Sequence, residues 1–215
     1  MKALVLVDLQ HDFMPGGALA VPGGDAVVPI AARLCEAFEL VVATQDWHPP
    51  EHGSFARSHP GRRPGEVIEL GGLPQVLWPA HCVQGSRGAE LVPEVAAAAA
   101  RGRVTVFQKG TDPAIDSYSG LYDNGHRRST GLGEFLRGRG VDEVYVLGLA
   151  TDYCVKYTAL DAAAAGFKVR LIADACRAVE LTPGDEARAL AEVAAAGAEV
   201  VTSASILEGG PEGPA

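Results

Sequence analysis

Three residue types with complementary chemistry stand where apolar runs end: an aspartate at Asp8, a lysine at Lys109 and a cysteine at Cys154. In Val144–Val155 an apolar strand passes through a tight turn and delivers Cys154 to the start of a helix. That position exposes the sulfur to unpaired N–H groups and to the positive end of the helix dipole, which favours thiolate over thiol. A thiol, a carboxylate and an ammonium meeting at one edge suit acyl transfer from an amide, the thiolate attacking the carbonyl while the carboxylate moves protons. Lys109 would hold the charges in place. For Asp8 the two influences oppose, since the lysine lowers its pKa and burial raises it. The backbone N–H groups of Ala150 and Cys154 are the natural donors to a tetrahedral oxyanion. Taken singly, Asp8 could cap a turn, Lys109 could be a solvated strand end and Cys154 could be packing. Their shared placement at strand ends is what points to a site.

A second set suits a cation. Asp46 and His48 are two residues apart, so on an extended segment both side chains leave the same face. His52 and His81, in the long segment that follows, are the available third ligands. His81 is preferred because Trp78 and Pro79 beside it can fix a ring, and His52 is kept as a tentative ligand; His59 reads as a surface histidine. One carboxylate with imidazoles fits zinc, with iron or manganese as alternatives, and leaves room for water or a substrate donor atom.

These residues need a frame that brings strand ends together. Short apolar runs recur at 3–7, 40–44, 104–107, 144–147, 169–172 and 199–202, and helical patterns at 25–38, 88–100, 130–139, 153–166 and 184–196 lie between most of them. The alternation predicts an α/β fold: a six-stranded, mainly parallel sheet with helices on both faces. In such a sheet the functional crevice lies beyond the carboxyl ends of the strands. Two segments, 49–85 and 110–129, break the pattern and read as long functional loops. At 215 residues, 47% of them hydrophobic, the chain fits one domain, assigned to 1–207, with 208–215 as a flexible tail.

A net charge of −9 without a Lys/Arg cluster argues against nucleic acid and anionic membrane as partners and leaves a small molecule. The apolar start is cut off at Asp8 and no later run approaches a membrane span, so a cytoplasmic protein is expected. Its four cysteines, Cys35, Cys82, Cys154 and Cys176, are widely spaced, which predicts reduced thiols. Acidic, Ala-rich helices allow a homo-oligomer without specifying one.

The motifs at 7–13, 45–50, 52–55, 78–85, 109–110 and 148–155, in this order, resemble the nicotinamidase group of the isochorismatase-like cysteine hydrolases over nearly the whole chain. The resemblance implies that Asp8, Lys109 and Cys154 form a catalytic triad acting on nicotinamide. It implies that Asp46, His48 and His81 bind a divalent metal facing the pyridine nitrogen, and that Phe13 and Trp78 sandwich the ring. Tyr118 and Tyr153 match pocket-lining positions, and a cis peptide is implied at Leu149-Ala150. The alternatives are another small-amide hydrolase of the superfamily, acting on pyrazinamide or a carbamoyl amide, and a non-catalytic metal-dependent ligand-binding module.

Overall fold

The computed structural model describes residues 1–208. The strands are β1 (Lys2–Val7), β2 (Leu40–Asp46), β3 (Val67–Leu70), β4 (Leu73–Val76), β5 (Val104–Lys109), β6 (Glu143–Leu149), β7 (Lys168–Arg177) and β8 (Glu199–Val201). The helices are α1 (Val27–Ala37), α2 (Pro93–Ala100), α3 (Leu132–Gly138), α4 (Lys156–Ala164), α5 (Asp185–Ala195) and α6 (Ser203–Leu207). Six strands form one sheet in the order β5-β2-β1-β6-β7-β8, as the alternating pattern predicts, and every pairing in it is parallel.

The two central strands are continuous apolar runs because both their faces are covered: β6 is buried throughout, and β1 is buried after its first residue. Edge strands β5 and β8 are partly exposed. Helix α1 packs on α2 and α6, and α4 packs on α5, so two helical groups clothe the sheet. Because all six strands of the sheet run in the same direction, their carboxyl ends lie on one rim.

Several boundaries differ from expectation for identifiable reasons. The helix expected from residue 88 starts at Pro93, which sits in the first turn where its missing N–H costs nothing, after a short 3-10 turn at Arg87–Ala89. The expected loop 49–85 contains the hairpin β3–β4, closed at Gly71-Gly72. Strand β7 runs on to Arg177, five residues beyond its apolar run, after a register shift against β6 at Val146/Gly148. Of the expected tail, Glu208 follows α6 and the rest lies outside the described residues. No helix among the described residues is long and apolar enough to cross a membrane.

Candidate active site and metal centre

Asp8 follows β1, Asp46 ends β2, Lys109 ends β5, and Cys154 lies just beyond β6, so neighbouring strands of one sheet bring the residues to one rim. The β2–β5 register sets Asp46 directly beside Lys109. The fully buried Lys109 ammonium lies 2.9 Å from Asp8 Oδ2 and 2.6 Å from Asp46 Oδ1. It also donates to Ser117 O at 2.8 Å and stands 3.4 Å from Cys154 Sγ.

Asp8 is held by Thr44, whose hydroxyl donates to Oδ1 at 2.6 Å and accepts from the Asp8 N–H at 3.2 Å. Its backbone is left-handed at φ 50°, a conformation uncommon for a residue with a side chain. Asp8 Oδ2 pairs with the Lys109 charge but makes no directed hydrogen bond, which leaves a lone pair for another proton.

The helix carrying Cys154 does not begin as an α-helix. Thr151–Val155 form a π-helical turn, and α4 starts only at Lys156. The Ala150 carbonyl, which would take the Cys154 N–H in an α-helix, accepts instead from Tyr153 and Val155, each at 3.1 Å. The Cys154 N–H is thereby released from that carbonyl, a rearrangement common at functional sites. The Leu149-Ala150 peptide is cis, as the resemblance implies.

The helix start favours the Cys154 thiolate, and burial works against it. Burial pushes the Cys154 thiol well above its usual pKa; Lys109 opposes this, but Asp8 and Asp46 add to it. Burial likewise raises Asp8, outweighing the pull of Lys109. Asp46 goes the other way: burial opposes its charge, yet Lys109 and His48 hold it well below the usual carboxylate range. Burial also disfavours the Lys109 charge, but Asp46, Asp8 and Cys154 keep the ammonium protonated well above the ordinary lysine value. The resting set is a thiol, a carboxylate of raised basicity and a fixed cation.

Asp46 serves two groups at once. While Oδ1 takes Lys109, Oδ2 lies 3.5 Å from His48 Nε2 and 3.7 Å from His81 Nε2. These distances are long for hydrogen bonds and close to the roughly 3 to 3.5 Å between donors whose bonds to one ion are near 2.1 Å. Each histidine spends its other nitrogen on a carbonyl, His48 Nδ1 on Gly110 O at 2.9 Å and His81 Nδ1 on Pro79 O at 2.8 Å. That fixes the tautomer with the Nε2 lone pairs facing Asp46. Gly110 is required there, because a Cβ would stand 2.4 Å from the His48 ring. The set Asp46, His48 and His81 therefore fits one divalent cation, all ligand atoms lying within 4.8 Å of one another.

His52 falls in a different cluster, with His48 and Asp116. Its Nδ1 bonds Ser54 Oγ at 2.7 Å, and its buried Nε2 has no hydrogen-bond partner.

Phe13, Trp78, Tyr118 and Tyr153 line the pocket with Ala150, Cys154, Asp46, His48 and His81, around about 360 Å³ of atom-free space including the open mouth. Trp78 meets Tyr153 edge-on at 4.8 Å and donates to Tyr118 Oη at 3.2 Å. Gln75, Thr44 and Asp116 were missed by sequence reasoning. Gln75 Nε2 donates to Tyr118 Oη at 2.9 Å and to Asp116 Oδ2 at 3.1 Å, and Asp116 lines the pocket. The Asp116-Ser117-Tyr118 run in a long loop was the available signal.

A model of the isochorismatase domain matches residues 2–205. The chain belongs to the isochorismatase family. Within this family it is 52% identical over 207 residues to a nicotinamidase of Escherichia coli K12, covering 94% of this chain and 95% of that one. Its structure resembles a nicotinamidase/pyrazinamidase of Acinetobacter baumannii, with TM-score 0.90, 44% identity, and 95% and 97% of the two chains covered. It also resembles a Pyrococcus horikoshii pyrazinamidase in complex with zinc, with TM-score 0.74, 40% identity, and 94% and 98% covered. The family and group read from the motifs are thus borne out, as is the α/β sheet.

Proposed function

We propose that this protein hydrolyses nicotinamide to nicotinate and ammonia through a thioester on Cys154. The observation that carries the proposal is the Lys109–Asp46 pair, which joins Asp8 and Cys154 to the His48/His81 donors in one aromatic-walled pocket. The nicotinamidase relatives support the same substrate.

Phe13 and Trp78 hold the flat ring, with Tyr118 and Tyr153 closing the wall. As Cys154 Sγ attacks the carboxamide carbon, its proton passes to Asp8 Oδ2. The carbonyl oxygen becomes an oxyanion facing the N–H groups of Ala150 and Cys154. Asp8 then delivers that proton to the leaving nitrogen, the C–N bond breaks, and ammonia departs. Asp8, again a carboxylate, takes a proton from water, whose oxygen attacks the thioester carbon. Collapse returns the proton to sulfur and releases the acid. Throughout, Lys109 keeps Asp8 and Cys154 in register and balances the charge that moves between them.

Asp46, His48 and His81 would hold a divalent ion, zinc first and iron or manganese as alternatives, which supplies Lewis acidity and an anchoring position toward the ring nitrogen. The zinc-bound pyrazinamidase supports this choice. The four free, buried cysteines support a reducing, cytoplasmic setting.

Steady-state kinetics on nicotinamide, pyrazinamide and a carbamoyl amide tests the substrate. The two ring amides should give the higher kcat/KM; a higher value for the carbamoyl amide would overturn the proposal.

A further inference from the structure

We propose that Gln10 and Asp12 are positioning residues that fix the main chain of the three metal donors Asp46, His48 and His81. The inference rests on the metal reading above. It concerns the segment after β1, in which residues 8, 10 and 12 each reach a different part of the site.

Gln10 is completely buried, and its carboxamide pairs reciprocally with the backbone of Asp46. Nε2 donates to Asp46 O at 2.8 Å and Oε1 accepts from Asp46 N at 2.8 Å. The second Nε2 hydrogen goes to Ala89 O at 2.9 Å, so both donors of the amide are committed. A side chain that grips both main-chain groups of one residue sets where that residue's carboxylate begins.

Asp12 does the corresponding work for the histidines. Its Oδ2 accepts from Cys82 N at 2.7 Å, and its Oδ1 accepts from Ala18 N at 3.1 Å. Cys82 directly follows His81 and stands in the left-handed region at φ 45°, where a residue with a side chain must be held in place. Its carbonyl in turn accepts from His48 N at 3.0 Å. Cys82, the residue whose N–H Asp12 holds, is therefore adjacent to His81 in sequence and bonded through its own carbonyl to His48 in space. Gly88 makes room for this contact, since a Cβ there would lie 2.1 Å from Asp12 Oδ2.

Groups that orient metal ligands from behind change affinity by about 10- to 100-fold when removed. The test is the zinc dissociation constant of the metal-stripped protein, measured by competition with a chromophoric chelator. Circular dichroism and the metal-free thermal midpoint check each variant for folding. Asp12→Ala and Gln10→Ala should each bind zinc about 10- to 100-fold more weakly. Asp12→Asn, which keeps an oxygen for the Cys82 N–H but turns an amide nitrogen toward the Ala18 N–H, should weaken zinc less than Asp12→Ala. Gly88→Ala should weaken zinc as Asp12→Ala does, by displacing the carboxylate. The double variant should be no worse than Asp12→Ala alone, because the three atoms nearest to the added methyl are those of the Asp12 carboxylate.

If Asp12→Ala fails to fold, Gly88→Ala and Gln10→Ala decide. Folded variants with lowered metal-free midpoints but unchanged zinc affinity would overturn the proposal and make these residues folding staples only. His81→Ala separates the two readings: unchanged zinc binding in that variant would sink the metal site itself, whereas zinc lost there and kept in the Gln10 and Asp12 variants would sink only the positioning role.

Discussion

Lys109 is the residue on which most of the site's electrostatics depends. It is buried between Asp8 and Asp46 with Cys154 close by, so its cation compensates two carboxylates at once. Removing one partner of a buried ion pair leaves the other charge desolvated and unpaired, at a cost of about 3 to 5 kcal/mol. Lys109→Met should therefore lower the unfolding free energy by about that much and abolish turnover; a stability unchanged from the parent would contradict this ion-pair assignment. The raised pKa of Asp8 has a kinetic sign. The free enzyme needs Asp8 ionised to accept the thiol proton, so kcat/KM should fall on the acid side around a pKa above the ordinary 3.8. An acid limb at or below that value would contradict the desolvated environment. Linkage works in opposite directions for the two carboxylates. The raised Asp8 contributes stability in acid that is lost as pH rises through its folded pKa. The depressed Asp46 contributes stability above its ordinary range that is lost as pH falls.

At the scale of elements, the β3–β4 hairpin and the π turn do what a plain strand-helix alternation would not. The hairpin carries Gln75 inward to Tyr118 and Asp116, and so backs the wall that Trp78 shares with Tyr118. Gln75→Ala should raise KM for nicotinamide several-fold while changing kcat less, since it alters how the ring is held rather than the reacting atoms. Equal loss in kcat and kcat/KM would instead place Gln75 in the chemical step. Neither element was legible in the sequence, for physical reasons. The hairpin strands are four residues each, Gln75 is their one buried residue, and Pro74 interrupts β4, so no apolar period-2 pattern stands out. The π turn differs from an α-helix by hydrogen bonds that reach one residue further back, Val155 N–H to Ala150 O and Lys156 N–H to Thr151 O, which residue types do not encode. The central strands were legible because burial on both faces demands unbroken apolar runs, as in β1 and β6.

Over the whole molecule, the parallel sheet places the ends of β5, β2, β1 and β6 side by side, and residues more than a hundred positions apart become one site. That convergence could be anticipated from Asp8, Asp46, Lys109 and Cys154 standing at strand ends. The resting state of Cys154 could not, because it depends on how completely the fold buries the sulfur. Asp46 and His48 at the end of β2 meet His81 from a distant loop only in the folded chain, so a metal held by the three would be tied to the folded state. Zinc bound only to the native protein should raise the thermal midpoint, by about 2.7 kcal/mol of stability at a hundredfold excess over Kd. A midpoint indifferent to zinc and to chelator would contradict the donor assignment.

Cys154-dependent hydrolysis of nicotinamide is tested by ammonia release from the zinc-loaded protein beside Cys154→Ala. Steady release should occur with nicotinate formed in equal amount, and the variant should lose roughly 10⁴-fold or more in rate although it still binds zinc. No release from the intact protein, or comparable release from Cys154→Ala, would contradict it.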